Sequence, residues 1–352
     1  MAEPVVSYPG AKWRFYPHMV EYFPTDMKVF IEPFFGGGSV SLSVADDPRF
    51  DKLERMIGGD LYTEMWALWS GNMRDPALVE EIATKWVNQW CPHQKEWHDT
   101  KFICGEARKY VPGSGGMYEN FENMDIFNED EKKDIRYKIA LYNQACEEGK
   151  AFWEWASKVD TSNMSLEERA ARMLLVNKFS FSGMGDSGSL SRDQYGMFYL
   201  DQLKSVYSAS KLLQRIELYN VSFEDSMKYA RDYAKDDCFI FLDPPYAKQE
   251  SSGLYGKGGD THKGFPHQHF AEFTKQMPCK WFMTYDDSVI VRKLFAGPTA
   301  ISDQCYLTPF KIPGGYTMAQ VNAEDALAGE ELFISNYPLT EDASNSDDDF
   351  DF

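Results

Sequence analysis

The chain lacks the features that mark membrane and secreted proteins. No apolar run approaches the roughly 20 residues needed to span a bilayer. The stretch Met1-Ala2-Glu3-Pro4 lacks the basic and then apolar pattern of a secretory signal. The six cysteines are scattered rather than paired at short spacing, which is typical of reduced thiols. We therefore expect a cytoplasmic protein that does not enter a membrane.

A basic excess is also missing, because 36 lysines and arginines stand against 55 aspartates and glutamates, for a net charge of -19. Proteins that bind nucleic acid through its phosphates usually carry a basic surface. Residues 340–352 are rich in acids, contain no basic residue and are predicted to form a disordered acidic tail. The charge alone argues against a nucleic-acid partner, so any cationic surface has to be local.

What the sequence does contain is an alternation of strand and helix signals. The run Val29-Phe-Ile-Glu-Pro-Phe ends at Gly36-Gly37-Gly38, and a helix is predicted to begin at Ser39. Arg55-Met-Ile-Gly-Gly-Asp60 predicts a second strand, followed by a helix over residues 61–69. This βαβ order implies an α/β fold with a parallel sheet. Further strand-like segments lie at residues 215–223, 238–242, 280–285 and 331–337.

The composition of the sequence changes at residues 71–172, which are rich in Trp, Glu and Lys at helical spacing. We predict that this segment is a mostly helical insertion in a core formed by residues 1–70 and 173–339. Four of its residues are of types that bind zinc: Cys91, His93, His98 and Cys104. Their spacing is irregular, so no metal site is expected.

The first motif with chemical meaning is Phe30-Ile-Glu-Pro-Phe-Phe-Gly-Gly-Gly-Ser39. Glycines between a strand and a helix let the backbone come close to a ligand that a Cβ atom would exclude. Asp60, at the end of the next predicted strand, is placed to accept hydrogen bonds from a ribose. Such a turn also occurs for packing alone, and nothing in it distinguishes a dinucleotide from S-adenosylmethionine.

The second motif is Phe239-Ile-Phe-Leu-Asp243-Pro244-Pro245-Tyr246, in which an apolar strand leads directly into an acid, two prolines and an aromatic ring. The prolines fix φ and remove two backbone donors, which leaves carbonyl groups available as acceptors. Such a turn can accept both hydrogens of an exocyclic amine while its ring stacks on a base. The alternative is a simple Pro-Pro turn whose aspartate caps a helix.

Together the two motifs resemble the DNA adenine methyltransferase family of the Dam type, in which the cofactor motif precedes the target-recognition segment and Asp-Pro-Pro-Tyr follows it. Five further matches occur in the family's order: Tyr8-Pro-Gly-Ala-Lys12, Ile57-Gly-Gly-Asp60-Leu-Tyr, Ser222-Phe-Glu-Asp225, Tyr285-Asp-Asp-Ser and Glu331-Leu-Phe-Ile-Ser-Asn336. The resemblance covers about residues 7–70 and 173–337.

The resemblance implies a Rossmann-like, S-adenosylmethionine-dependent methyltransferase fold with a mixed, mostly parallel sheet. Residues 71–172 are then the target-recognition insertion. The implied residues of the S-adenosylmethionine site are Tyr8, Gly10, Lys12, Glu32, Pro33, Phe34, Phe35, Gly36, Gly38, Ser39, Asp60 and Asp225. Phe34 or Phe35 is expected near the sulfonium, where a ring face favours positive charge.

The resemblance also implies a mechanism, in which adenine is flipped out of double-stranded DNA and stacks on Tyr246. The amine donates to Asp243 and to the Pro244 carbonyl and attacks the sulfonium methyl in line. The implied catalytic residues are Asp243, Pro244, Pro245 and Tyr246, and Lys178 and Arg192 are expected to contact the nucleic acid.

The sequence departs from the family at Asn177-Lys-Phe-Ser-Phe-Ser182-Gly183-Met184, where Ser182 stands in place of an asparagine. The common GATC target is therefore not implied. Restriction protection, replication and phage defence all use this chemistry, so the expected location is the bacterial cytoplasm, or the host cytoplasm for a phage-encoded enzyme.

Two alternative functions and one further partner remain open. The acidic composition also suits an enzyme that methylates adenine in single-stranded DNA or RNA. A methyltransferase fold that serves as a binding or regulatory protein is less favoured, because Asp243-Pro-Pro-Tyr246 is intact. The end Asp347-Asp-Asp-Phe-Asp-Phe352 is similar to the tips of bacterial and phage single-stranded DNA-binding proteins. One hypothesis is therefore that the acidic tail recruits the enzyme to a replication protein or competes with DNA for the enzyme's own cleft.

Overall fold

The structure, a computed structural model, describes residues 6–8, 10–102, 105–183, 185–247, 264–311 and 330–339. The predicted acidic tail, residues 340–352, lies outside these ranges. Within them, no helix has both the length and the apolar composition needed to cross a membrane.

The chain divides into two compact units. The first, called the core unit here, comprises Met1–Pro4, Gly10–Trp69 and Ala209–Phe352. The second, called the helical unit, comprises Val5–Pro9 and Ser70–Ser208. The helical unit thus continues beyond residue 172, where the sequence-based division places the end of the insertion.

A seven-stranded sheet forms the centre of the core unit. Its strands are β1 (Val29–Glu32), β2 (Arg55–Gly59), β3 (Ile216–Tyr219), β4 (Cys238–Leu242), β5 (Lys280–Asp286), β6 (Tyr306–Lys311) and β7 (Glu330–Ser335). They lie in the order β3-β2-β1-β4-β5-β7-β6. Neighbours among β1 to β5 pair in parallel, whereas β7 pairs antiparallel with both β5 and β6. The predicted mixed, mostly parallel sheet of a Rossmann-like fold is confirmed.

Thirteen α-helices occur in the described residues. They are α1 (Tyr16–Met19), α2 (Ser39–Asp46), α3 (Thr63–Arg74), α4 (Pro76–Trp90), α5 (Gln94–Asp99), α6 (Gly105–Arg108), α7 (Glu129–Ala156), α8 (Leu166–Phe179), α9 (Arg192–Met197), α10 (Ser205–Leu213), α11 (Phe223–Lys228), α12 (His267–Lys275) and α13 (Val289–Leu294). The helix predicted over residues 61–69 begins at Thr63 and continues to Arg74, and α2 begins at Ser39 as predicted.

The central strands carry the core of this unit. Every residue of β1 and of β4 is buried, because parallel strands covered by helices on both faces have no solvent side. The residue after each parallel strand therefore lies at the carboxyl edge of the sheet, where ligands bind in open α/β folds. Asp60 follows β2, and Asp243 follows β4.

Strand β6 was not predicted from the sequence. It contains Pro309, which lacks an N–H group, and a proline inside an apolar run argues against a central strand. The structure resolves the conflict, because β6 is the last strand in the sheet order and needs a partner on one side only.

The helical unit is organised around α4, α7 and α8. Capping boxes begin the last two helices, with Asn128 and Glu131 at α7 and Ser165 and Glu168 at α8. Trp90 of α4 stacks on Trp155 of α7 with ring centroids 5.2 Å apart. These aromatic contacts account for the tryptophan-rich composition of the segment.

Candidate active site

The glycine turn, residues 33–38, joins β1 to α2 and depends on local backbone geometry. Gly38 adopts φ of 68°, a left-handed conformation that L side chains rarely take, and a Cβ there would lie 2.8 Å from Cε1 of Phe35. The turn is tied to the next strand end, because the N–H of Gly36 donates to Oδ2 of Asp60 at 2.7 Å. The N–H of Tyr62 donates to Oδ1 of the same carboxylate, also at 2.7 Å.

Asp60 holds the glycine turn in place and can also accept hydrogen bonds from a ligand. Each of its oxygens accepts one backbone hydrogen bond, and a carboxylate has about four lone-pair positions, so it can accept further donors. Burial raises the pKa of Asp60 to about 6, although the bonds from Tyr62 and Gly36 lower it. The next residue, Leu61, is 63% exposed and offers an apolar surface beside this carboxylate.

Glu32 ends β1 and is held beneath α2. Its Oε2 accepts hydrogen bonds from the N–H of Ser41, at 2.9 Å, and from the Ser41 hydroxyl. The side chain is buried, and burial raises its pKa to about 8 against the effect of the Ser41 bonds. Glu32 thus fixes the first turn of α2 to the strand and places a second acid near Asp60 and Asp243, both of which contribute to this pKa.

The two phenylalanines of the glycine turn have different surroundings. Phe35 is buried against Trp69, with ring centroids 5.9 Å apart. Phe34 is partly buried and stacks on Phe223, with centroids 5.8 Å apart and rings inclined by 23°. Of the two, Phe34 is the ring that retains an exposed portion.

The catalytic turn, residues 243–246, begins at the end of β4. Oδ1 of Asp243 accepts a hydrogen bond from Oγ1 of Thr284 at 2.8 Å and lies 2.9 Å from Nζ of Lys12. Both contacts use Oδ1, so they leave Oδ2 as an acceptor. Burial raises the pKa of Asp243, and Glu331 raises it further, against the opposing effect of Lys12. The carboxylate is consequently a better proton acceptor than an exposed aspartate.

Lys12, which the sequence assigned to the cofactor residues, lies against the catalytic turn. Its side chain is 3% exposed, its Nζ donates to the carbonyl of Gly10 at 2.8 Å, and its ammonium lies 5.1 Å from the centroid of the Tyr246 ring. Burial lowers the pKa of Lys12, but Asp243 and Glu331 outweigh it, and the pKa lies above its ordinary value. The ammonium therefore stays charged and balances two carboxylates.

Tyr246 is held at its hydroxyl by a residue of β7 and at one face of its ring by a residue of β5. Its hydroxyl donates to Oε1 of Glu331 at 2.9 Å, and its ring stacks on Tyr285 at 5.9 Å with an inclination of 21°. The N–H of Ala247 donates to Oδ1 of Asp286 at 2.6 Å. The orientation of the ring is thus fixed by β5 and β7.

Glu331 is a site residue that sequence reasoning did not assign. It is 1% exposed, and buried carboxylates need partners because desolvation of an unpaired charge is costly. The available signal was its position at the start of the apolar run Glu331-Leu-Phe-Ile, where an acid is unexpected.

Replacing Glu331 tests whether it positions the ring. Glu331→Ala leaves the Tyr246 hydroxyl without this acceptor, and we expect kcat to fall about tenfold, since a lost buried hydrogen bond costs about 1–3 kcal/mol. Glu331→Gln retains an acceptor and is expected to restore most of kcat. Steady-state kinetics of both variants, with Tyr246→Phe as the matched removal of the donor, measure the effect. Additive losses in the double variant Tyr246→Phe/Glu331→Ala contradict the assignment.

Four further predicted residues are Asp225, Tyr8, Lys178 and Arg192. Asp225 is exposed in α11 and forms an ion pair with Lys228 at 2.6 Å. Tyr8, Lys178 and Arg192 belong to the helical unit. Lys178 is half-buried, and burial lowers its pKa, whereas Arg192 is exposed at the start of α9. The cofactor and nucleic-acid roles of these four residues stay predictions.

The site thus contains a buried carboxylate followed by two prolines and an oriented aromatic ring, and a glycine turn tied to a second acid. These groups suit the transfer of a group to an amine of a stacked base. The sequence profile of the D12 class N6 adenine-specific DNA methyltransferases matches residues 8–306. No curated protein matches the chain. Since the profile covers most of the sequence, the chain belongs to this family, and it is an enzyme that methylates N6 of adenine in DNA. The family and the reaction that the motifs predicted are confirmed.

Proposed function

We propose that this D12-class enzyme uses S-adenosylmethionine as its methyl donor and acts on an adenine flipped out of double-stranded DNA. The observation that carries the proposal is the Asp243 carboxylate, whose Oδ1 is occupied by Lys12 and Thr284 while the catalytic turn places Tyr246 beside it. Oδ2 is then the acceptor for one hydrogen of the adenine amine. The carbonyl of Pro244 is the acceptor for the other.

The catalytic turn supplies rigidity as well as acceptors. Pro244 and Pro245 lack N–H groups, so no local donor competes for the Pro244 carbonyl. Tyr246 provides the stacking face for the base, and its ring is fixed by Tyr285 and Glu331 before the base arrives. Preorganised acceptors that require no rearrangement are worth most in a site from which water is excluded. The raised pKa of Asp243 suits a group that takes up the proton of the methylated amine.

The residues at the carboxyl edge fit S-adenosylmethionine. Asp60 can accept bonds from ribose hydroxyls, and the exposed Leu61 can cover an adenine ring. Asp60, with a pKa of about 6, is ionised at neutral pH and adds a negative charge that favours a positively charged ligand. When bound, S-adenosylmethionine supplies an electrophilic methyl group on a sulfonium. We assign to the same site Gly10, Pro33, Phe34, Phe35, Gly36, Gly38 and Ser39, with Lys12 at its border to the catalytic turn.

The pH dependence of ligand binding tests Asp60. The ionised carboxylate is the better acceptor, so with a pKa of about 6 the affinity for S-adenosylhomocysteine should rise about tenfold between pH 5 and pH 7. The product is chosen because its sulfur is uncharged. Calorimetric titration measures the affinity, with Asp60→Asn expected to be weak at all pH values. Asp51→Asn, at an exposed aspartate that is not among the predicted site residues, is the control. A rise that persists in Asp60→Asn argues against this role.

We propose that the insertion over residues 71–172, with Lys178 and Arg192, contacts the DNA target. Lys178 supports this, because a partly desolvated ammonium regains favourable interactions when a phosphate approaches. Arg192 is exposed and adds a positive charge to an otherwise acidic chain. A link to replication proteins through residues 340–352 rests on the sequence alone. Unchanged pull-down after deletion of residues 341–352 contradicts it.

The experiment that tests the function is methyl transfer from labelled S-adenosylmethionine to duplex DNA, single-stranded DNA and RNA, with the modified nucleoside identified by mass spectrometry. N6-methyladenine that forms fastest in duplex DNA is the expected result. If transfer to single-stranded DNA or to RNA is faster, that nucleic acid is the substrate instead of duplex DNA. Binding of S-adenosylmethionine without transfer to any of them identifies a binding or regulatory protein.

A further inference from the structure

The outer face of helix α13 carries apolar side chains where the fold does not require them. Val289 is 69% exposed and Ile290 is 60% exposed, whereas the next residue, Val291, is fully buried. Val291 and Phe295 anchor the helix to the core, which leaves Val289 and Ile290 on the solvent side. Positions on the solvent side of a helix are normally polar. An apolar side chain there does not stabilise the fold, because its surface stays in contact with water.

The conformation of this short helix is well defined. Ser288 caps it by accepting a hydrogen bond from the N–H of Val291 at 3.3 Å. Arg292 donates to both oxygens of Asp287, at 2.6 and 2.7 Å, which closes the turn before the helix. Val289 and Ile290 therefore project from a fixed support.

Val289 and Ile290 lie at the carboxyl edge of the sheet. Strand β5 is joined to the catalytic turn by the bond from Thr284 to Asp243 and by the bond from Ala247 to Asp286. Val289 follows Asp286 by three residues. The exposed large apolar side chains described in the core unit are Leu61, Val289 and Ile290. All three follow the carboxyl ends of parallel strands, so they lie on the side that faces substrate.

The same helix carries positive charge. Arg292 and Lys293 are exposed in its last turn, within a chain whose net charge is -19. Arg292 is engaged by Asp287, so Lys293 is the cation that this helix offers to a phosphate. An apolar pair beside an exposed lysine matches a surface that inserts between bases while phosphates pass beside it.

We propose that Val289 and Ile290 contact DNA next to the flipped adenine and fill the gap that the base leaves in the stack. This inference rests on the proposed base flipping. Removing a base exposes the faces of its neighbours, and apolar side chains that cover these faces stabilise the open duplex. Lys293 contacts a backbone phosphate beside the gap.

The test compares Val289→Ser/Ile290→Ser with the wild type on DNA fragments whose methylated adenine has been mapped. On a fully paired duplex we expect about a hundredfold lower kcat/KM, roughly tenfold for each side chain. On a duplex with a mismatch opposite the target adenine, and on single strands, the loss should be below about threefold, because extrusion is cheaper there. Both positions are exposed, so the unfolding midpoint should not change. Tyr207→Ser, at a residue of α10 that is 37% exposed and lies outside the proposed DNA-contacting insertion, is the control and should show no dependence on pairing.

The outcomes separate this inference from the proposed function. If the wild type forms no N6-methyladenine, the function itself fails. If the wild type is active and the double variant loses equally on paired, mismatched and single-stranded substrates, the gap-filling role is wrong. A changed sedimentation coefficient with equal losses identifies a contact between copies instead. Lys293→Gln should reduce the slope of log affinity against log salt by about 1, and an unchanged slope removes the phosphate contact.

Discussion

Asp243→Asn is expected to lower the rate of methyl transfer by at least about a thousandfold while S-adenosylhomocysteine still binds. The substitution keeps the shape of the side chain but replaces a carboxylate that is a strengthened proton acceptor. Loss of one preorganised charged group that acts in the transition state costs about 4 kcal/mol, or close to a thousandfold. Single-turnover kinetics with labelled donor separate this loss from any change in binding.

The matched control for Asp243 lies at the other end of the same strand. Asp237 immediately precedes β4 and forms a surface ion pair with Lys28 at 3.1 Å. Asp237→Asn removes the same charge next to the same strand, and exposed ion pairs contribute little, so its activity should be unchanged. Activity of Asp243→Asn within tenfold of the wild type would falsify the assignment of the amine to the catalytic turn.

Lys12→Met is expected to produce the largest loss of stability, about 3–5 kcal/mol in the free energy of unfolding at pH 7. The ammonium balances Asp243 at 2.9 Å and also interacts with Glu331, and its removal leaves buried carboxylates without a cation. Methionine preserves the length of the side chain, so little of the loss comes from packing. Urea unfolding at several pH values measures it. The loss should shrink as the pH falls, because protonation removes the unbalanced charge.

A double variant distinguishes charge from packing at this position. Lys12→Met/Asp243→Asn removes both members of the pair, and its stability should exceed that of Lys12→Met by about 1–3 kcal/mol. Additive destabilisation in the double variant shows that the pair is not the cause. The ion pair with Lys12 thus offsets the loss of stability that the buried charge of Asp243 would otherwise cause.

Local signals in the sequence were sufficient for the parts of the site that are continuous in the chain. Strand β4 occupies the predicted residues 238–242, and the acid, prolines and ring that follow it are adjacent in sequence. The glycine turn could also be predicted, because its conformational demand is local. Gly38 needs a positive φ whatever the rest of the molecule does.

Contacts between distant residues could not be predicted in this way. Tyr246 and Glu331 are 85 positions apart, and their hydrogen bond follows from the antiparallel pairing of β5 with β7. The partner of Lys12 depends equally on tertiary structure. The family resemblance implied a cofactor contact for Lys12, and its ion pair with Asp243 was not part of that prediction.

The proline in β6 has a consequence for the behaviour of the protein at high concentration. An edge strand presents unpaired backbone groups that can capture a strand from another molecule, which is a route to aggregation. Pro309 lies in the middle of the edge strand, opposite Leu332, and cannot donate a hydrogen bond to an incoming strand. The residue that made β6 hard to predict from the sequence therefore also hinders the addition of a strand at this edge of the sheet.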